Sequence, residues 1–82
     1  MSIEETVLNL IEQPLLAEGI RVDEVLFLKE DNNYFLRIII DKEGFVDLNT
    51  CIKATKIINP LLDDDLTDKA YILDITSKEK GE

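Results

Sequence analysis

The sequence predicts an α+β domain of order α-β-β-α-β, in which two helices cover one face of a three-stranded sheet. Two stretches place apolar residues at helical spacing, and three shorter stretches alternate apolar with polar residues and are rich in β-branched side chains. Residues 36–63 join a strand, a glycine turn and a helix without interruption, so the chain is organised around this unit. Amphipathic helices need an apolar surface to cover, and one sheet face can serve both.

The first helix is predicted to begin at residue 3, because Ser2 and Glu5 have the spacing of a capping box. Pro14 interrupts the helical pattern, since proline has no amide proton to donate to the carbonyl four residues earlier. Gly19 is suited to the left-handed conformation that ends many helices. The apolar stripe at helical spacing consists of Ile3, Val7, Leu10, Ile11 and Leu15.

The first strand is predicted over residues 20–29 and the second over residues 34–41, with a hairpin turn at residues 30–33. Within the first strand the apolar residues change from even to odd positions. A β-bulge near Asp23 and Glu24 would bring both sets to one face of the sheet.

The far side of the predicted sheet also carries apolar residues. If Val25 and Phe27 face the core after the bulge, their neighbours along the strand face outward. The same alternation in all three strands gives an outward set that consists of Leu26, Leu28, Ile39 and Ile72. A patch of this kind is typical of a partner surface, although small sheets also leave some apolar residues in water.

Asp47 is predicted to cap the second helix after a turn that contains Gly44. The predicted buried stripe of this helix is Leu48, Cys51, Ala54, Thr55, Ile58 and Leu62. Pro60 lies near the predicted helix end, and an acidic loop with Asp63, Asp64, Asp65 and Asp68 follows. The last strand is predicted over residues 69–76, and residues 77–82 as a polar tail.

The composition limits the partners and the compartment. The 82 residues carry a formal net charge of -9, so the field of the chain repels phosphate backbones and anionic lipid and attracts basic proteins. Autonomous nucleic-acid binding is therefore disfavoured. With no long apolar run and no leader-like segment, the sequence predicts a cytoplasmic protein without a membrane segment. The one cysteine, Cys51, has no cysteine or histidine partner and is predicted to be a reduced structural thiol.

Catalysis finds little support in the residues. There is no histidine, no nucleophile with a positioned base and no glycine-rich phosphate loop, so no enzyme and no cofactor are expected. Asp63, Asp64 and Asp65 could hold a hard cation, but their spacing is not that of an EF-hand, and a solvated loop without metal is preferred. Arg37 beside Tyr34 and Phe35 could stack on bases, but ordinary strand residues are the simpler interpretation.

Four segments carry a family resemblance, and together they cover nearly the whole chain. They are PLLAEGIRVDEVLFL, LRIIID with its glycine turn, VDLNTCIKATKIINPLLD and YILDITS. In this order they resemble the N-terminal domain of the bacterial ribosome maturation factor RimP. The element order is also similar to KH-like RNA-binding modules, but no two of the three glycines have the spacing of the GXXG loop that such modules use. One RimP N-terminal-like domain is then expected over residues 1–76.

The resemblance implies a non-enzymatic assembly factor that binds the immature small ribosomal subunit, the pre-30S particle, near a basic ribosomal protein. The predicted contact residues are acidic and apolar: Asp41, Glu43, Asp63, Asp64, Asp65, Leu26, Leu28 and Ile39. An alternative is a stand-alone structural domain that forms a weak homodimer through Leu26, Leu28 and Ile39 and does not contact the ribosome. In the family a barrel domain follows the last strand, and whether the natural chain continues in this way stays open at the level of the sequence.

Overall fold

The computed structural model describes residues 2–44, 46–62, 67 and 70–78. The elements are α1 (Ile3–Leu16), β1 (Ile20–Glu30), β2 (Asn33–Lys42), α2 (Leu48–Ile58) and β3 (Tyr71–Ser77), and a short 3-10 helix (Asn59–Leu61) follows α2. The predicted α+β class and the α-β-β-α-β order are confirmed. None of the helices in these ranges combines the length and the apolar character needed to cross a membrane.

The three strands form one mixed sheet of order β1-β2-β3. β1 and β2 pair antiparallel, and β2 and β3 pair parallel, with α2 in the connection between them. The hairpin between β1 and β2 turns on Asp31 and Asn32, whose φ angles are +50° and +69°. Positive φ at both turn positions is typical of the type I′ hairpin turn, and Asp and Asn tolerate it better than most residues.

The predicted β-bulge in β1 is confirmed. Val22 pairs with Ile40, but Glu24 pairs with Ile39, so β1 contains one extra residue, Asp23. This insertion moves the apolar residues on both sides of it onto one face of the sheet. Without it, one half of β1 would expose the residues that it now buries.

The core lies between that face of the sheet and the two helices. The buried apolar residues lie on α1, β1, β2 and α2. They are Val7, Ile11, Leu15, Ile20, Val25, Leu36, Ile38, Ile40, Ala54 and Ile58. The three residues from β2 are 0% exposed, because this central strand is flanked on both sides and covered by both helices. β2 is therefore the centre of the domain.

Both predicted helix starts are confirmed by their hydrogen bonds. The Glu5 amide donates to Ser2 Oγ at 3.1 Å, and the Ser2 amide donates to Glu5 Oε1 at 3.2 Å, which completes a capping box. At α2, the amide and the hydroxyl of Thr50 both donate to Asp47 Oδ1 at 2.8 Å. Gly19 follows α1 with φ of +77°, as its predicted role in ending the helix requires.

The predicted burial is wrong for two members of the apolar stripes, Leu48 and Leu10. Leu48 is 75% exposed, because the buried face of α2 runs through Thr50, Ala54 and Ile58, and Leu48 begins the helix on the opposite side. Leu10 is 38% exposed and lies at the flank of the α1 stripe. In both cases tertiary packing decides which face of the helix is buried, whereas the apolar pattern of the sequence alone allows two faces.

The burial of β2 gives a test of the core. Ile38→Val removes one methylene group at a 0% exposed position, and we expect a loss of about 1 kcal/mol of unfolding free energy and a fall of about 4–8 °C in melting temperature. The matched control is Ile72→Val in β3, where the side chain is exposed and the change should stay within about 0.5 kcal/mol. Thermal unfolding followed by circular dichroism measures both, and equal losses would contradict this core.

Candidate partner-binding face

The surface of the sheet opposite the helices forms a candidate binding site, which we call the outer face. Its central residues are Leu26, Leu28, Phe35, Arg37, Ile39, Ile72 and Asp74. The register aligns Leu28, Phe35 and Ile72 in one row across all three strands. None of these apolar side chains is among the described residues that pack against the core, and Ile72 is 50% exposed.

The next two rows of the outer face mix apolar and polar side chains. Leu26, Arg37 and Asp74 form one row, in which Arg37 Nε donates to Asp74 Oδ2 at 2.9 Å. Ile39 occupies the middle of the other row, between β1 and β3. The register thus places Leu26, Leu28, Ile39 and Ile72 on the outward side of the sheet, as predicted. Their part in binding stays a prediction.

Phe35 is the outer-face residue that sequence reasoning missed. The sequence pattern indicates for Phe35 an ordinary strand position or, as the less favoured alternative, a stacking platform with Tyr34 and Arg37. That platform is wrong, because Tyr34 lies on the helix side, where its ring stacks on Phe27 with 5.3 Å between centroids, while Arg37 lies on the outer face. The alternation of side chains along a strand could have placed Phe35 on this face, because it lies two residues before Arg37 and therefore faces the same way.

Among the described residues, the cations whose side chains lie on the outer face are paired with carboxylates. The pairs are Arg21 with Asp41 at 2.9 Å, Arg37 with Asp74 at 2.9 Å, and Lys78 with Asp23 at 3.3 Å. Glu24 and Glu30, which border the face on β1, have no such partner among the same residues. The charge left over on this surface is therefore negative, which suits a basic partner and disfavours phosphate.

Asp41 and Glu43, the predicted acidic contacts nearest the sheet, differ in their surroundings. Asp41 Oδ1 accepts a hydrogen bond from the Lys42 amide at 2.8 Å, and this bond, together with that from Arg21, holds the pKa of Asp41 below its ordinary value. Glu43 is exposed in the turn before Gly44. The predicted contacts Asp63, Asp64 and Asp65 lie outside the described residues.

Other chemistry has little support in this part of the chain. Cys51 packs against the core, and burial, with a smaller effect of the Asp47 charge, raises the pKa of its thiol, so it stays protonated at neutral pH. No group of three or more potential metal-ligand side chains occurs within the described ranges. A cavity of about 270 Å³ between α1 and β1 includes Glu12 and Arg21 in its lining, but Arg21 is already paired.

The fold and this face define a small two-layer α+β domain in which the described helices cover one side of the sheet. Comparison with protein families then gives a specific result. The profile of the RimP N-terminal domain family matches residues 10–78, and the chain belongs to this family. RimP is a ribosome maturation factor that acts on the small ribosomal subunit, and the RimP family is not a known enzyme family. The resemblance read from the four sequence segments is confirmed.

The Asp41 environment gives a second test. We expect Arg21→Gln to raise the pKa of Asp41 only partly, because the stronger contribution, from the Lys42 amide, remains. A lowered carboxyl pKa means that this group stabilises the fold above the ordinary Asp value of about 3.9, and the contribution is lost as pH falls through the folded pKa.

The matched control for Asp41 is Lys53→Gln. Lys53 Nζ lies 2.8 Å from Glu18 Oε1, and its hydrogen bond and charge hold the pKa of Glu18 low. This variant should raise the pKa of Glu18 and leave that of Asp41 unchanged. NMR titration of the side-chain carboxyl carbons measures the pKa of both groups. An Asp41 pKa that is unchanged in the Arg21→Gln variant would contradict the ion pair.

Proposed function

We propose that this chain is a non-enzymatic binding domain in the maturation of the small ribosomal subunit, and that it contacts the pre-30S particle and a basic ribosomal protein. The observation that carries the proposal is the outer face, where apolar side chains from half-buried to exposed lie on the side of the sheet that neither helix covers, and where the unpaired charge is negative. Membership of the RimP N-terminal domain family supports the ribosomal setting, which would be in the cytoplasm.

The apolar part of the proposed contact consists of Leu26, Leu28 and Ile39, with Phe35 and Ile72 added by the register. Removing such side chains from water on binding provides about 25 cal/mol for each Å² of apolar surface. The paired strands hold their backbone in place, so little backbone freedom is lost when a partner covers them. This rigid patch would supply most of the binding energy.

The electrostatic part consists of the predicted acidic residues Asp41 and Glu43 and, outside the described residues, Asp63 to Asp65. A net charge of -9 attracts a basic protein over distances of about one Debye length and raises the association rate. The same field repels ribosomal RNA. The contact with the particle is therefore proposed to be made mainly through its protein component.

The alternative is a homodimer through Leu26, Leu28 and Ile39 without ribosome contact. The outward-facing apolar residues favour this homodimer, but the small area of the face opposes it. The rows of the outer face span about five residues along three strands that lie about 4.8 Å apart, which gives roughly 240 Å², against about 800 Å² for each partner in a stable interface. Two copies at -9 also repel each other. Light scattering over a dilution series tests this alternative, and a monomer at every concentration would rule it out.

Substitution on the outer face tests the proposed function. Leu28→Ser should weaken co-sedimentation of the chain with immature small ribosomal subunits about tenfold, because a buried apolar contact is lost at a position outside the core. The matched control, Leu48→Ser, makes the same change at an exposed position on α2 and should bind normally. Equal binding by the two variants, with both folded by circular dichroism, would contradict the outer-face assignment.

A separate variant tests the electrostatic part. Replacing Asp63, Asp64 and Asp65 together by Asn should weaken association at low salt and flatten its salt dependence, because three charges that attract the basic partner are removed. If association and its salt dependence stayed the same, these three residues would not belong to the contact.

A further inference from the structure

The cavity between α1 and β1, which we call the α1–β1 groove, is a second candidate site, apart from the outer face. Its volume is about 270 Å³, and its described lining consists of Glu12, Leu16, Ile20, Arg21 and Val22. The first two lie in the second half of α1, and the other three begin β1. All five belong to residues 2–44, which are described without a gap. The two walls of the groove are therefore parts of one continuous described segment.

The walls of the groove are mainly apolar. Leu16 is 49% exposed although it is a large aliphatic residue, whereas Ile20 is 1% exposed and contributes only to the floor. Val22 is half-buried and packs against the core. An aliphatic chain between Leu16 and Val22 would remove more of both side chains from water, and the apolar area that it covers would stabilise the complex. The groove thus favours an aliphatic chain.

The uncompensated charge of the groove is negative. Arg21 Nη2 donates to Asp41 Oδ2 at 2.9 Å, so the guanidinium charge already has a carboxylate beside it. Glu12 is exposed, and it has no hydrogen-bond or ion-pair partner among the described residues. Its neighbours one helical turn away, Leu8 and Leu16, are apolar. The Glu12 carboxylate is thus available to a ligand, and it favours a cation.

We propose that the α1–β1 groove binds a lysine or arginine side chain of a partner protein, with the aliphatic stem against Leu16 and Val22 and the cationic end at Glu12. These side chains combine both parts, because their stems pack on apolar surface while their charged ends stay in water. An acidic side chain would be repelled by Glu12, and an uncharged aliphatic one would leave the carboxylate without a partner. The ligand is thus a basic polypeptide segment that presents one such side chain.

The groove adds a second contact to the proposed function. β1 lies at one end of the strand order, and its residues Leu26 and Leu28 belong to the outer face on the other side of the sheet. A basic segment of one partner can therefore reach both surfaces around this strand. A second copy of the chain is disfavoured as the partner, because each copy has a net charge of -9. The inference rests on the proposed function for the origin of the basic segment, but not for the structure of the groove.

A peptide series tests the groove without the ribosome. The probe is acetyl-Gly-Gly-Lys-Gly-Gly-amide, whose binding to the 82-residue chain is followed by NMR, and the largest shift changes are expected at Glu12, Leu16 and Val22. Norleucine in place of lysine keeps the stem without the charge and should bind about threefold more weakly. With 2,4-diaminobutyric acid the charge stays but the stem is two methylene groups shorter, and binding should weaken about fivefold. Equal affinities for the three peptides, or shift changes spread over all exposed carboxylates, would overturn the proposal.

Glu12→Gln tests the cation contact, because it keeps the size of the side chain and removes its charge. The variant should bind the lysine peptide about threefold more weakly and the norleucine peptide as before, so the two changes together cost no more than either one. The matched control Glu30→Gln removes the charge of an exposed residue at the other end of β1 and should bind both peptides normally. Equal weakening by the two variants would indicate general charge attraction and would refute the site.

Leu16→Ala tests the apolar wall. It should weaken the lysine and norleucine peptides by a similar factor, about threefold, because both place the same stem on this wall. The matched control Leu10→Ala shortens another exposed leucine of α1, which is not among the described residues that line the groove, and should bind normally. Normal binding by a Leu16→Ala chain that is folded by circular dichroism would contradict the placement of the stem.

The ribosome assay separates this proposal from the proposed function. A chain that binds the lysine peptide as expected but does not associate with immature small ribosomal subunits would contradict the proposed function only. A chain that associates with these subunits but binds the lysine and norleucine peptides equally would contradict the groove only.

Discussion

The burial of Leu36, Ile38 and Ile40 between the sheet and the two helices is the interaction on which the rest of this domain depends. Full burial of such side chains contributes about 1.5–3 kcal/mol each, a large share of the stability of so small a domain. Because side chains alternate along a strand, burying these three turns Phe35 and Ile39 outward. The outer face is therefore a geometric consequence of the core. Any partner of this face contacts a sheet whose other side is packed against the helices.

Local features of the fold could be predicted from the sequence because their causes lie within a few residues. The Ser2 and Glu5 capping box and the Asp47 cap each close hydrogen bonds over three positions, and a bulge was needed as soon as the apolar phase changed near Asp23. Leu48 could not be placed, because the phase of α2 depends on which side meets the core, and that contact involves α1 and the whole sheet.

The candidate site was predictable in composition but not in arrangement. Net charge predicts a basic partner, yet it does not tell which carboxylates are already engaged. Arg37 and Asp74 are 37 positions apart, and only the parallel register of β2 with β3 brings them together. The same register aligns Phe35 with Ile72 and so creates the apolar row. Register between distant strands is a property of tertiary packing, which a single sequence does not encode in any short pattern.

The parallel pairing of β2 with β3 also has a consequence for the order of folding. The hairpin of β1 and β2 closes over two turn residues, whereas β3 pairs with β2 only after α2 and the loops around it have been formed. The entropy of closing this longer loop must be met before its contacts form, so we expect β3 to join the sheet last. On a translating ribosome the nascent domain would then expose the β2 edge until the last strand emerges, and would become competent for assembly work only when its own synthesis reaches that point.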